Sequence, residues 1–145
     1  MAKLSLSAGA QAPATPILDA SGKTITLKAI EGPVTVVNLW ATWCPPCVKE
    51  MPEIDRFARE FASRGGRVVG LAVDNPTAVR AFLLKTPVSY AIGMAGFDGT
   101  DLSRQLGNSS GALPFTAVLG RDGQVAQRRL GETSFDELQR WSQAL

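Results

Sequence analysis

The 145-residue sequence predicts an α/β fold: a central mixed β-sheet flanked by helices, with a β-hairpin at the N-terminus. Three observations carry that expectation. Two β-branched, almost continuously apolar runs, 34–40 and 67–73, enclose an amphipathic helical stretch, and strand, helix, strand is a βαβ unit with parallel neighbours and a right-handed crossover. Two short apolar segments around Ser21-Gly22 read as a hairpin ahead of that unit. A second hairpin and a closing helix follow it, so strands of both directions share one sheet.

Taken in order, residues 8–16 are rich in Ala, Pro and Gly and read as an extended lead-in. Ile17-Leu18 and Ile25-Leu27 are the hairpin strands. Val34 to Trp40, bounded by Gly32-Pro33, has the continuous hydrophobicity of a strand buried on both faces. Val48, Met51, Ile54, Phe57, Ala58 and Phe61 then recur at helical spacing, with Lys49, Glu53, Arg56, Arg59 and Glu60 elsewhere on the wheel. Arg67 to Val73 is the second buried strand. Asn75-Pro76 supplies an N-cap and a first-turn proline for a helix through Lys85, stopped before Pro87. Ser89 to Met94 reads as a short strand, and Thr100 to Leu106 as a short helix closed by Gly107 at C′. Phe115–Leu119 and Val125–Leu130 bracket a turn at Asp122-Gly123. Ser134-x-x-Glu137 is a capping box for a last helix with Phe135, Leu138, Trp141 and Leu145 on its apolar face.

At 45% hydrophobic and 19% charged residues, the chain reads as one domain, 1–145, with residues 1–10 extended or disordered. A net charge of +2, evenly spread, argues against nucleic acid and against an anionic membrane surface as partners. No apolar run approaches the ~18 residues of a membrane span, and Met1 to Gln11 has no signal-peptide apolar core. Either a cytosolic protein or the soluble part of an exported one with Met1 added fits these features. The decisive counts are two Cys and no His, which remove every His-dependent mechanism and every tetrahedral Cys/His metal site. No metal is expected.

The thiols stand in Trp43-Cys44-Pro45-Pro46-Cys47, between the first buried strand and the amphipathic helix. A bridge across two residues removes little unfolded-chain entropy, so the pair is suited to switching rather than stapling. At a helix N-terminus, backbone N–H groups and the helix dipole favour the thiolate, the species that attacks disulfides. Cys44 is then the nucleophile that forms a mixed disulfide, and Cys47, one turn on, resolves it. Pro45 and Pro46 remove two of the N–H donors, and no His lies between the cysteines, so the Cys44 thiol is expected to be less acidic than in strongly oxidising couples. The competing reading is a pair of inert cysteines or half of a zinc site.

The stretch Val36-Val37-Asn38-Leu39-Trp40-Ala41-Thr42-Trp43-Cys44-Pro45-Pro46-Cys47-Val48-Lys49-Glu50-Met51-Pro52, with Gly111-Ala112-Leu113-Pro114-Phe115-Thr116-Ala117-Val118-Leu119 and Arg121-Asp122-Gly123, resembles the thioredoxin superfamily and, within it, the TlpA/ResA-like thiol-disulfide oxidoreductases of bacterial envelopes. The resemblance covers roughly residues 10–145. It implies a thioredoxin-like fold with a central insertion between residues 76 and 107, and the redox pair Cys44–Cys47 as the only cofactor. It also implies a periplasmic or envelope-facing location, protein disulfide substrates and an upstream thiol donor as partners, and a monomer. Family clients include apocytochrome c cysteines, copper-site proteins and methionine sulfoxide reductases.

Site roles follow from the same resemblance. Pro114 is a candidate cis-proline, presenting the Leu113 backbone to an extended client segment. By itself an X-Pro bond is cis only about one time in twenty, and an edge-strand proline is the plain alternative. Glu50 lies about 60° around the helix from Cys47 and about 120° from Cys44, within reach of a proton-transfer role. The family places a glutamate here that tunes the thiols; a solvated charge beside Lys49 is the other reading. Asn38 stands where thioredoxins proper carry a buried aspartate; it cannot titrate and reads as structural. Trp43, and Trp40 with it, are expected to pack around the disulfide, with Trp43 also touching substrate. Pro52 falls inside the helix and is expected to kink it. Two other activities compete on this fold. A thiol peroxidase needs a Thr-x-x-Cys setting with a nearby Arg, which Trp43-Cys44 does not offer. A copper-handling module needs His or Met beside the cysteines, and only Met51 is there. Equilibration of the Cys44–Cys47 couple against glutathione is expected to give a potential well below the about −120 mV of strongly oxidising couples; a value near that figure contradicts the proline argument.

Overall fold

The β-branched run after residue 33 becomes the strand around which the fold is arranged. In the computed structural model, which describes residues 16–19, 24–26, 34–96 and 99–143, this strand (β3, Thr35–Trp40) is buried at all six positions. The other elements are β1 (Pro16–Asp19), β2 (Thr24–Thr26), α1 (Pro45–Ser63), β4 (Arg67–Ala72), α2 (Pro76–Lys85), β5 (Ala91–Met94), α3 (Gly99–Gln105), β6 (Phe115–Leu119), β7 (Val125–Leu130) and α4 (Phe135–Gln143). They form one seven-stranded sheet in the order β2-β1-β5-β4-β3-β6-β7. β3 runs parallel to β4 from Thr35↔Arg67 to Trp40↔Ala72, and antiparallel to β6 from Thr35↔Leu119 to Leu39↔Phe115. β4 and β5 are parallel, while β1 pairs antiparallel with both β2 and β5.

Period-two alternation sends the β3 side chains to two separate cores. Val36 and Trp40 join Met51, Ile54, Phe57 and Phe61 of α1, Val79 of α2 and Leu138 of α4 on one face. Val37 and Leu39 join Leu71, Phe115 and Leu119 under Leu102 of α3 on the other. Each fully buried Leu, Ile or Phe is worth about 1.5–3 kcal/mol relative to exposure, so a strand buried on both faces is the hardest element to displace. α4 docks on α1 through Phe135: its N–H donates to Glu53 Oε1 at 3.3 Å, and Arg56 lies 4.0 Å over its ring.

The observed elements follow the sequence expectations closely, and the differences have local causes. The strand expected from Ser89 begins at Ala91, because the Ser89 N–H and hydroxyl both donate to Asp55 Oδ1 of α1 at 2.6 Å and leave the ladder. The expected capping box is half made. Ser134 Oγ accepts from Glu137 N at 3.2 Å, but the Glu137 carboxylate turns to Thr133 Oγ1 and Arg129 instead of returning to residue 134. Segment 76–107 is not an appendage: it contributes β5, the strand that joins the N-terminal hairpin to the rest of the sheet. The Ser21-Gly22 turn, residues 1–10 and Leu145 lie outside the described residues. Asn75 caps α2 by accepting from Ala78 N at 2.8 Å. No helix among the described residues is long and apolar enough to cross a membrane.

Gly107 ends α3 in a Schellman turn, with Asn108 N donating to Ser103 O at 3.0 Å and Gly107 N to Arg104 O at 2.9 Å. Its φ of 108° is costly for any residue with a Cβ, and a Cβ there would sit 2.5 Å from Arg128 Nη1. Gly107→Ala is expected to lower stability by at least about 1–2 kcal/mol, read as a shifted urea midpoint at unchanged slope.

Candidate active site

Where β3 leaves the sheet the chain makes one tight turn and starts α1. Trp40 still pairs with Ala72, and its carbonyl accepts from Val73 N at 2.8 Å. Cys44 N then donates to Ala41 O at 3.3 Å, closing the turn, and Cys44 becomes the N-cap of α1 with φ −108° and ψ 101°. Its carbonyl accepts the first helical bond from Val48 N at 3.2 Å. Pro45 and Pro46 occupy N1 and N2, where a missing N–H costs the helix nothing. The consequence for the sulfur is larger. With two prolines lacking N–H and Val48 N already used, the Cys47 N–H is the single first-turn donor left without an intrahelical acceptor.

Cys44 and Cys47 are joined in a disulfide, with Cα atoms 5.3 Å apart. Cys47 is fully buried, whereas Cys44 keeps 6% of its surface open. Of the two cysteines, only Cys44 retains any exposed surface. Of the two tryptophans, Trp40 shares the core cluster with both cysteines, fully buried and 5.5 Å from the Phe82 ring. Trp43, expected to pack around the disulfide, instead turns its indole outward and is 61% exposed. The reason is positional: Trp40 is the last inward residue of a buried strand, and Trp43 sits on the outside of the turn. Met51, the methionine nearest the pair in sequence, is buried in the core beneath α1. Pro52 lies within α1, which continues unbroken from Pro45 to Ser63.

Glu50 is only 2% exposed, which excludes the solvated-charge reading; Lys49 approaches Glu132 instead, at 4.0 Å. Its Oε2 accepts from Asn38 Nδ2 at 3.1 Å, and its Oε1 from Thr133 N at 3.0 Å. Asn38 Nδ2 also donates to Thr116 Oγ1 at 3.1 Å, so this β3 residue, read as structural, hydrogen-bonds inside the core and holds Glu50 directly. Burial pushes the Glu50 carboxyl up to about 7, the two donors offset part of that rise, and the nearby Glu132 carboxylate adds to it. Residues 47 and 50 are i,i+3 neighbours on one face of α1, so an acid with affinity for a proton near neutrality lies beside the inner thiol.

The Leu113–Pro114 peptide bond is cis. The register Leu39↔Phe115 sets it next to Trp40-Ala41, at the same end of the sheet as Cys44. The Pro114 carbonyl accepts from Gly131 N at 2.9 Å, while Leu113 is half-buried and packs against both cores. Behind it, buried Asn108 ties the approach loop through Ser103 Oγ and Ala112 O, both at 2.8 Å. One residue of the site escaped the sequence reading. Asp74 is 2% exposed, and its Oδ2 accepts from Thr42 N at 2.9 Å and from Thr42 Oγ1 at 2.6 Å. The available signal was a carboxylate directly after the buried run 67–73, at the strand end that faces the cysteines.

The Redoxin family model matches residues 7–141. The chain belongs to the Redoxin family. Among curated relatives, the thiol-disulfide oxidoreductase ResA of Bacillus anthracis is 31% identical over 138 residues, which are 90% of this chain and 74% of that one. Among solved structures, a thioredoxin-related protein from Neisseria meningitidis serogroup B superposes with a TM-score of 0.78 at 33% identity, covering 88% of this chain and 96% of that one. A thiol:disulfide interchange protein of the thioredoxin family from Chlorobium tepidum TLS gives 0.77 at 26% identity, covering 97% and 98%. The expected thioredoxin-like fold is therefore the observed one, and this Redoxin-family chain is a thiol-disulfide oxidoreductase.

Because folding raises the Glu50 carboxyl from 4.5 to about 7, the folded protein holds a proton there that the unfolded chain has already lost. The associated stability is complete below about pH 4.5 and is lost as pH rises to about 7, a change on the order of 3 kcal/mol. Urea unfolding of the oxidised protein between pH 4.5 and 8 is expected to show that decline, and Glu50→Gln to flatten it. An unchanged slope in the variant would assign the decline to other groups.

Proposed function

We propose that this protein reduces disulfides in partner proteins on the envelope side of a bacterial membrane, with Cys44 as nucleophile and Cys47 as resolving thiol. The observation that carries the assignment is the contrast between the two cysteines: Cys44, the N-cap of α1, keeps a small part of its surface exposed, and Cys47 is fully buried. In the reduced protein the Cys44 thiolate attacks one sulfur of the client disulfide, forming a mixed disulfide and expelling the other client sulfur as a thiolate, which takes a proton from water. Cys47 then gives its proton to Glu50 and attacks Cys44 Sγ. The second client sulfur leaves as a thiolate and takes a proton from water, and the Cys44–Cys47 disulfide re-forms. An upstream dithiol donor returns two electrons and two protons to complete the cycle. No other cofactor is required.

The place of the Leu113–Pro114 loop beside the cysteine turn supports a client-binding role, in which an extended segment pairs with the Leu113 backbone. Trp43, exposed next to Cys44, offers that segment an aromatic face. The reducing direction is supported by the two prolines at N1 and N2, which leave the Cys44 thiolate a single first-turn donor. We place the protein as a monomer, and apocytochrome c cysteine pairs are one client class suited to it.

Expression of Cys47→Ser in the native organism is expected to trap clients as mixed disulfides on Cys44, released by reductant and identifiable by mass. Capture through Cys47 in a Cys44→Ser variant instead, or no captured protein in either, would overturn the assignment.

A further inference from the structure

The sequence places Thr42 two residues before Cys44 and Asp74 directly after the second buried strand run. The parallel pairing of Trp40 with Ala72 brings those two points together at one end of the sheet. Asp74 then receives three hydrogen bonds from two directions: the Thr42 N–H at 2.9 Å and hydroxyl at 2.6 Å on Oδ2, and the Asn75 N–H at 2.8 Å on Oδ1. One buried carboxylate thus holds both the turn that delivers Cys44 and the residue that caps α2. A neutral amide cannot replace it without turning an N–H toward one of those donors.

This matters for the thiol because the field at the head of α1 is thin. Only the Cys47 N–H remains of the first-turn donors, so the stabilisation available to a Cys44 thiolate depends on how Cys44 is oriented. Within residues 41–44 the backbone has one bond of its own, Cys44 N to Ala41 O at 3.3 Å, longer than a typical N–H···O bond. The Asp74 bonds to Thr42 are shorter.

We propose that Asp74 is a positioning residue for disulfide exchange: acting through Thr42, it holds the 41–44 turn so that Cys44 stays the N-cap of α1. The inference rests on the reading of Cys44 as the attacking thiol. It assigns the Thr42 hydroxyl a specific part, since that group makes the shortest of the three bonds, and it separates Asp74 from Glu50, which serves the inner sulfur.

The test uses the reduced full chain, alkylated with iodoacetamide from pH 5 to 9, with the labelled thiol mapped by peptide mass. Thr42→Val keeps the branched shape and removes the hydroxyl; its Cys44 is expected to alkylate about fivefold more slowly at pH 7, with the profile displaced to higher pH. Thr42→Ser is expected to return the wild-type profile. Asp74→Ala should lose more, and if it fails to fold the Thr42 pair still decides. A wild-type profile in Thr42→Val, or no rescue by Thr42→Ser, overturns the proposal. Label appearing first on Cys47 in the wild type overturns the assignment of the attacking thiol instead, an outcome distinct from failure of the tether. Thermal unfolding of the oxidised variants is the control: a purely structural role lowers the midpoint and leaves the alkylation profile where it was.

Discussion

The double burial of β3 is the constraint on which the rest of the structure depends. Thr35–Trp40 is packed on both faces and hydrogen-bonded on both edges, so the point where it leaves the sheet is held from four sides. The chain must turn there within a few residues and begin α1, because the apolar stripe of that helix lies over the same face of the sheet. Cys44 is where the turn meets the helix. Parallel pairing brings the end of β4, and with it Asp74, alongside; antiparallel pairing brings the start of β6, and with it Leu113–Pro114. Cys44, Asp74 and the cis-proline therefore converge because they are neighbours of one strand end, the usual location of sites in sheets of this kind.

Within that frame the chemistry is sparse. The chain has no imidazole, and the sheet and α1 bury two carboxylates near the pair by different means. Asp74 is surrounded by three donors and serves geometry. Glu50 has two donors, lies deep beneath α1 and has Glu132 for a neighbour, so its affinity for a proton is raised into the neutral range. Identical functional groups thus divide the work according to what faces them. The Thr133 N–H donating to Glu50 and the Gly131 N–H donating to Pro114 O also tie the β7–α4 loop to both that carboxylate and the cis-proline.

Much of this was legible in the residues. Strand and helix periods were strong because the buried runs are nearly free of polar interruptions, and Asn75-Pro76, Gly107 and Asp122-Gly123 mark ends by local stereochemistry that tertiary packing did not overrule. The exceptions share a cause. Ser89-Tyr90 failed to extend β5, and Glu137 failed to close its capping box, because a side chain or backbone N–H found a partner outside its own element, Asp55 in one case and Thr133 with Arg129 in the other. Trp43 was misjudged for a related reason: proximity to the cysteines along the chain does not say which side of a turn an indole occupies.

By itself the sequence determined the chemistry that is possible: two thiols three residues apart at a helix start, two prolines beside them, and no imidazole. Those are properties of residue type and local spacing, which survive any packing. Only the tertiary structure decided what surrounds the thiols. It buried Glu50 rather than leaving it in water, gave Asn38 to that carboxylate, bound Thr42 to Asp74 across 32 positions, and closed Cys47 while leaving Cys44 at the edge. Each of those outcomes depends on which groups lose water together, and desolvation is a property of the assembled sheet and helices that no local stretch of chain contains.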